Sequence, residues 1–492
     1  MASAWAFLTV LGAALIHLSL GYNYTVGNMN AYLIPYMNIT PGQTVWIHAV
    51  VISGQAIAMP LGGLLTSKIG FRIVVAVGCL LCSGGVALSS LTVQHGLGPF
   101  IFTYAVMFGL GMGLPYSVLF TLAADWFPNH RAVVTGIILG GLGMGALLFT
   151  PTQTALINPN NLPNSDPSVL DRVTRSFLIL AAVMFVLQII GFSLLRKSPS
   201  SAKEEDDVFS ESDNSEILDK DDSEVAVKIE SSDIHNIYNY TIQEALKSID
   251  FYTIAIIIFL DTVPITLQSS AYKVFGSEHG LEDRYLSTIA TCTAIFNCSG
   301  RVIWGLICDH VSFKIPLGWF LMQWAILFGT FPLVAETKVF TYLFPVWVFL
   351  LFFSMAGHFV LMPAACSRIF GPKNTATTYG LLYFTTVSCS AFTRSLILKE
   401  RCPSALILAA IVSQYDIKKN FPLTFYCCCA LCLVSFALSL FLKDKFGKWR
   451  DVTRLCTNAC NICRYEPPMA REMEDDGAAE LSVVTNTKIY DN

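Results

Sequence analysis

The stretch NCSGRVIWGLICDHVSFK, residues 297–314, decides how this chain is to be read. It sets Arg301 deep inside an apolar run that begins near Tyr285, and follows it with Gly305, Asp309 and Lys314. A charge at the centre of a membrane-spanning helix is tolerated only where protein, water or substrate meets it. Arg301 therefore reads either as part of a transport pathway or as half of a buried structural ion pair, and the pathway is the default reading for an intramembrane charge. Gly305 suits close helix packing, and Asp309 with Lys314 makes a charged turn at the membrane edge.

The rest of the chain agrees with a membrane setting. Of its 492 residues, 54% are hydrophobic and 13% charged, where a soluble domain carries about 25% charged residues. Residues 1–67 contain no Asp, Glu, Lys or Arg. No cleaved signal is expected, because that start lacks a basic leader region. The net charge of -4 argues against nucleic acid as a partner. Cysteines number 15, and runs such as Cys427, Cys428, Cys429 and Cys432 lie in apolar sequence, where thiols act as small hydrophobes rather than as a disulfide framework.

Stretches of roughly 17–25 apolar residues can cross a bilayer, and about twelve are expected. The first starts at Trp5, and its outer part carries Tyr22, Asn23, Tyr24, Asn28 and Asn30, polar groups that need a wet or protein-lined surface. The following spans are expected at 45–65, 73–91, 99–122, 133–156, 177–195, 251–267, the opening stretch, 315–334 and 339–362. The eleventh starts at Tyr379 and is interrupted by Arg394, Lys399, Glu400, Arg401 and Pro403 before apolar character returns, so it is either a broken helix or carries an insertion. The twelfth is 421–442. Gly109, Gly111 and Gly113, then Gly136, Gly140, Gly141 and Gly145, read first as small-residue helix packing.

Residues 198–235 are rich in Asp, Glu and Ser and hold too little apolar sequence to fold alone. Order is expected to resume at Thr241-Ile-Gln-Glu244, which has the spacing of a capping box. Lys and Arg placement gives the orientation. Lys68, Arg72, Arg131, Arg196, Lys197, Lys314, Arg368 and Lys373 would be cytosolic, with Lys443, Lys445, Lys448 and Arg450 in the tail. Arg172, Arg175, Lys273, Arg284 and Lys338 would face outward, as would the glycosylation sequon at Asn38.

Two signatures recur at nearly one spacing. Residues 63–70 match 305–312 at an offset of 242, and 126–128 match 369–371 at an offset of 243, with Gly136 and Gly380 close to that register. A duplication of this kind makes two halves with a substrate site near the bilayer midplane between them.

These residues resemble the major facilitator superfamily. The glycine-led loop after the second span, Trp126-Phe127-Pro128-x-x-Arg131 and the stretch from Phe370 to Gly380 are most similar to the oxalate:formate antiporter and monocarboxylate transporter branches. The resemblance implies that Arg301 holds a substrate carboxylate, which suits the paired hydrogen bonds of a guanidinium. It also implies a conformational gate at Gly63, Ser67, Lys68, Gly70, Arg131 and Asp309. Ser67 stands where the family has an acid, which weakens the amino-terminal lock. Thr386 stands where the antiporters have a lysine, and Ala290 where the monocarboxylate transporters have an acid.

The expected fold class is therefore all-α integral membrane, a major facilitator fold of about twelve helices in two six-helix halves. Residues 1–197 and 241–442 form the halves, 198–240 a cytosolic linker and 443–492 a tail. The substrate-binding candidates are Arg301, Asp261, Tyr24, Thr386 and Tyr383. His17, His48 and His358 read as hydrogen-bonded structural histidines or as proton relays. Asp125 reads as a helix-end contact. Cys456, Cys460 and Cys463 have the spacing of an iron–sulfur loop but lack a surrounding domain, and suit palmitoylation or free thiols better. No metal or cofactor is implied, and no paired carboxylates or activated nucleophile suggest an enzyme. The expected partners are a small organic anion, protons and the lipid bilayer. The function that follows is secondary active transport of a monocarboxylate, coupled to protons if Asp261 titrates. The rivals are dicarboxylate antiport, sugar or amino-acid transport, and a non-transporting sensor or scaffold on the same fold.

Overall fold

A computed structural model describes residues 2–39, 41–160, 162–199, 239–386 and 421–443. Among these, eleven helices are long and apolar enough to cross a membrane. The expected interruption of the eleventh span, the Cys456 cluster and nearly all of the acidic segment lie outside the described residues.

The first span is compound. Helix α1 (Ala2–Leu20) tightens into a 3-10 turn at Gly21–Thr25 and continues as α2 (Val26–Met37). Gly21 is the reason for the close crossing there: a methyl group on it would overlap the Leu142 carbonyl and the backbone of Gly145. Small residues at a crossing let two backbones touch. The second to sixth spans are α3 (Pro41–Ile69), α4 (Phe71–Thr92), the run from α5 (Leu97–Phe100) through a π-helical stretch to α6 (Phe108–Ala124), α7 (Arg131–Ile157) and α8 (Pro167–Leu194). Helix α8 begins ten residues earlier than hydropathy predicted. Asp166 caps it by accepting from the Ser168 amide, and its charged first turns stand clear of the apolar zone. The same bonds from Ser168 hold the Asp166 carboxyl below the usual carboxylate range.

The expected capping box is present. Thr241 and Glu244 exchange side-chain and backbone bonds at the start of α9 (Ile242–Lys247). After it come α10 (Ile249–Glu278), α11 (Asp283–Val311), α12 (Lys314–Ala335), α13 (Phe340–Phe370), α14 (Thr375–Tyr383) and α15 (Phe421–Ser439). Helix α10 runs eleven residues past its predicted end, because Gln268 and Tyr272 are buried against protein and a polar side chain that packs inward does not end a helix. The outward faces carry exposed apolar residues such as Phe7, Leu80, Val186 and Trp319, as contact with hydrocarbon requires. The glycines of α6 and α7 do pack helices: Gly109 lies on Val51, Gly111 on Gly78 and Cys82, and Gly113 on Gln55.

Helix order gives the bundle two faces. The near face carries the start of α1, the Ser67–Gly70 turn, the 126–131 turn, and the ends of α8, α11 and α13; the far face carries the other ends. The repeat seen in the sequence is visible in the packing. A methyl at Gly305 would overlap the Ala132 carbonyl, and one at Gly63 would overlap Thr377; one at Gly136 would strike the Arg301 carbonyl, and one at Gly380 the Pro60 backbone. Each contact joins the first six spans to the later ones, and the two pairs are related by the sequence offset. The turns that follow match as well, with Gly70 at φ 81° and Ser312 at φ 137°.

Candidate transport site

Arg301 is fully buried on α11. Its Nε–H donates to Asn297 Oδ1, one turn earlier, at 3.0 Å; Nη1 donates to the Leu139 carbonyl on α7; Nη2 reaches the Tyr24 hydroxyl at 3.4 Å. The guanidinium carbon lies 4.8 Å from the centre of the Phe359 ring. All four partners are neutral. Of the two readings left open above, the ion pair finds no carboxylate for Arg301 among the described residues. A buried guanidinium held only by an amide, a carbonyl, a hydroxyl and a ring has no counter-ion in contact with it, which is costly unless an anion joins it.

Tyr24 is the exposed member of this set. It comes from the segment just past the Gly21 crossing and is 44% exposed, while its hydroxyl touches a side chain with no exposure. Below Arg301, toward the near face, aromatic rings cross between the halves. Tyr116 stacks on Tyr383 at 6.5 Å and Phe120 meets Tyr379 at 6.0 Å, while within the first half His17 meets Tyr116 at 5.3 Å. His17, Tyr116, Tyr379 and Tyr383 all lie within the field of the Arg301 charge. Thr386 donates to the Tyr383 carbonyl of its own helix at 2.7 Å and is not among the partners of Arg301.

Asp261 also stands apart from Arg301. Its Oδ2 pairs with His358 Nδ1 of α13 at 3.0 Å, both side chains being buried, and its buried Oδ1 has no hydrogen-bond partner. Along their helices, Asp261 is twelve residues from the near end of α10, His358 twelve from that of α13 and Arg301 ten from that of α11.

The gate residues divide. Asp309 accepts the Ala132 and Val133 amides at the start of α7, at 3.1 and 2.8 Å. Arg131 pairs with Asp125 at 2.8 Å on the partly exposed helix end. Gly63 packs on Thr377. Ser67 donates to its own helix at Leu64, Lys68 is exposed, and Gly70 forms the left-handed turn. Asn297, Phe359, Tyr116 and Tyr379 were not singled out from sequence. Only Asn297, four residues before Arg301 and so on the same helix face, carried a signal that sequence spacing supplies.

Residues 7–393 match the Major Facilitator Superfamily. The chain belongs to that superfamily. It is a multi-pass membrane transporter of small molecules, and not an enzyme. Among curated relatives of this major facilitator protein, apicoplast pyruvate carrier 1 of Toxoplasma gondii is 24% identical over 451 residues, covering 76% of this chain and 80% of the relative. The oxalate:formate antiporter of Oxalobacter formigenes is 22% identical over 396 residues, covering 80% and 81%. Human monocarboxylate transporter 12 is 31% identical over 115 residues, 23% of this chain and 22% of its own. Solved structures share the fold. The proton:xylose symporter XylE superposes with a TM-score of 0.68 at 16% identity, over 91% of this chain and 98% of that one. The transporter FucP in its outward conformation gives 0.57 at 13% identity, over 88% and 98%.

Proposed function

We propose that this major facilitator protein carries a small monocarboxylate across the membrane by alternating access, with Arg301 as the anion site and a proton as the coupled ion. The observation that carries the reading is the Arg301 guanidinium, buried at the junction of α7 and α11 with four neutral partners. A monoanion balances that charge. A dianion would leave an excess negative charge in a poorly solvated site, which disfavours it. The printed names of the pyruvate carrier, the oxalate:formate antiporter and monocarboxylate transporter 12 support a carboxylate as the substrate class.

The aromatic layer and the Asp309 contacts close the near-face side of the site, while Tyr24 borders open space. The basic residues Lys68, Arg72, Arg131, Arg196, Lys197, Lys314, Arg368 and Lys373 fall on the near face, so we assign that face to the cytosol and read the conformation as outward-facing. The linker at 198–240 and the tail from 443 belong to the same side.

The test is uptake by purified protein in liposomes, with lactate, pyruvate, oxalate, xylose and alanine offered under imposed pH and voltage gradients. Saturable uptake of lactate or pyruvate, raised by an inward proton gradient and abolished in Arg301→Gln, is expected. Saturable transport of sugar or alanine with no carboxylate uptake would overturn the reading.

A further inference from the structure

The transport reading uses Arg301 but leaves a second buried charged cluster without a role. We infer that the Asp261–His358 pair is the proton-carrying site of this protein, and that it and Arg301 hold one negative charge between them in alternation with the substrate. The inference rests on the carboxylate reading above and adds to it the place where the proton is held.

Three observations lead to it. First, the pair is built as a proton acceptor: His358 Nδ1 and Asp261 Oδ2 are in hydrogen-bond contact at 3.0 Å, and the buried Oδ1 has no partner. A buried carboxylate oxygen left without a donor is costly when ionised, and uptake of one proton by the pair removes the charge that makes it so. Second, the pair and Arg301 sit on either side of two consecutive residues. His358 faces Asp261, and Phe359 lies under the Arg301 guanidinium at 4.8 Å, with the two rings 5.4 Å apart. Third, all three charged groups stand ten to twelve residues from the near ends of α10, α11 and α13.

The other titratable group facing Asp261 is Cys432, from α15. Across Phe359 the facing charge is Arg301 of α11. Tyr24, Tyr116, Tyr379 and Tyr383 lie around Arg301 rather than around the pair.

Charge bookkeeping then fixes the order of events. In the empty carrier the pair is an aspartate bonded to a neutral histidine, net charge -1, and it offsets the +1 of Arg301. When a carboxylate binds Arg301 it supplies that negative charge itself. The pair then takes one proton from water, at Asp261 Oδ1 or His358 Nε2, and its charge goes from -1 to 0. Bound substrate, pair and Arg301 again sum to zero, so the loaded carrier moves one proton with one monoanion.

The experiment uses full-length protein in liposomes with radiolabelled lactate as the probe. It compares accumulation driven by an inward proton gradient with lactate–lactate exchange at equal pH on both sides, and reads lactate-induced thermal stabilisation in detergent between pH 5 and 8. Wild type should show all three, with stabilisation weakening as pH rises because binding takes up a proton. Asp261→Asn and His358→Gln should lose gradient-driven accumulation by tenfold or more, continue to exchange, and show lactate stabilisation that no longer varies with pH. Survival of gradient-driven accumulation in Asp261→Asn would overturn the assignment while leaving Arg301 as the anion site. Loss of exchange and of lactate stabilisation together, in both variants, would also overturn it, since the pair would then belong to the substrate site or the scaffold. A wild type that moves no carboxylate at all would instead remove the substrate reading, and this inference with it.

Discussion

Asp309 Oδ2 accepts the Val133 amide at 2.8 Å, across 176 residues of chain, and its other oxygen takes the Ala132 amide. A carboxylate from α11 thus caps the N-terminus of α7, where orphan N–H groups and the helix dipole favour a negative charge. The family resemblance implied a gate role for Asp309 in the carboxyl-terminal half. Its contact joins that half to the other one, so it acts on the near-face seal itself.

Asp309→Asn should loosen that seal. The amide keeps one acceptor but loses the charge, a change of about 1 kcal/mol at a helix N-terminus. Near-face cysteine probes should label several-fold faster, and turnover should fall with little change in equilibrium substrate binding. A large loss of affinity at unchanged turnover would contradict this role.

Ser67→Asp should do the opposite. Ser67 is the repeat partner of Asp309, yet its hydroxyl is bonded to Leu64 of its own helix. By the repeat, an aspartate there faces the start of α14 and adds a second cap between the halves, stabilising the sealed state by about 0.5–1 kcal/mol. Far-face labelling should rise about threefold and turnover should slow; faster turnover would rule out the second cap.

Arg301→Lys should lower carboxylate affinity by tenfold or more while the protein still folds. Lysine keeps the charge but cannot meet Asn297, Leu139 and Tyr24 at once, and each lost bond is worth about 1 kcal/mol. Substrate binding measured by thermal shift, beside uptake kinetics, separates affinity from turnover; wild-type values for both would exclude Arg301 as the anion site.

Gly70→Ala tests the turn and not the substrate. Gly70 has φ 81° and ψ 152° with open space around its Cα, so the cost of a methyl is conformational, about 1–3 kcal/mol. Thermal unfolding in detergent should show the loss, with lactate binding retained. An unchanged melting temperature would mean that the turn relaxes freely.

The segment 198–235 should be reached by antibody or protease only in permeabilised cells, as the near-face excess of Lys and Arg requires. Access in intact cells would reverse the assigned orientation, and with it the outward-facing reading.

How much of this was legible in the sequence depends on how far apart the interacting residues lie. Hydrophobicity sums along a few turns of helix, so the membrane class, the placing of most spans and the Thr241–Glu244 capping box could be read locally. The offset of about 242 residues announced the repeat that the paired glycine contacts realise. Arg301 stood out because a charge in the middle of an apolar run is anomalous wherever it lies in space. The ends of α8 and α10 were misjudged because their polar residues continue the helix against protein or beyond the apolar zone, which composition does not register.

Sequence by itself determined that this protein is a helical membrane protein with an internal repeat and an arginine deep in an apolar run, since those properties follow from local composition and periodicity; transport was implied by its resemblance to the major facilitator superfamily. Only the tertiary structure decided who meets whom. His358 lies 97 residues from Asp261 and Leu139 162 residues from Arg301, and which face each helix turns toward its neighbour is set by the packing of the whole bundle. Pairing across such distances depends on helix rotation and depth, and a shift of one residue turns a side chain by about 100°. That is why Asp261 read from sequence as a substrate-binding candidate beside Arg301, while its pairing with a histidine on α13 was not foreseen.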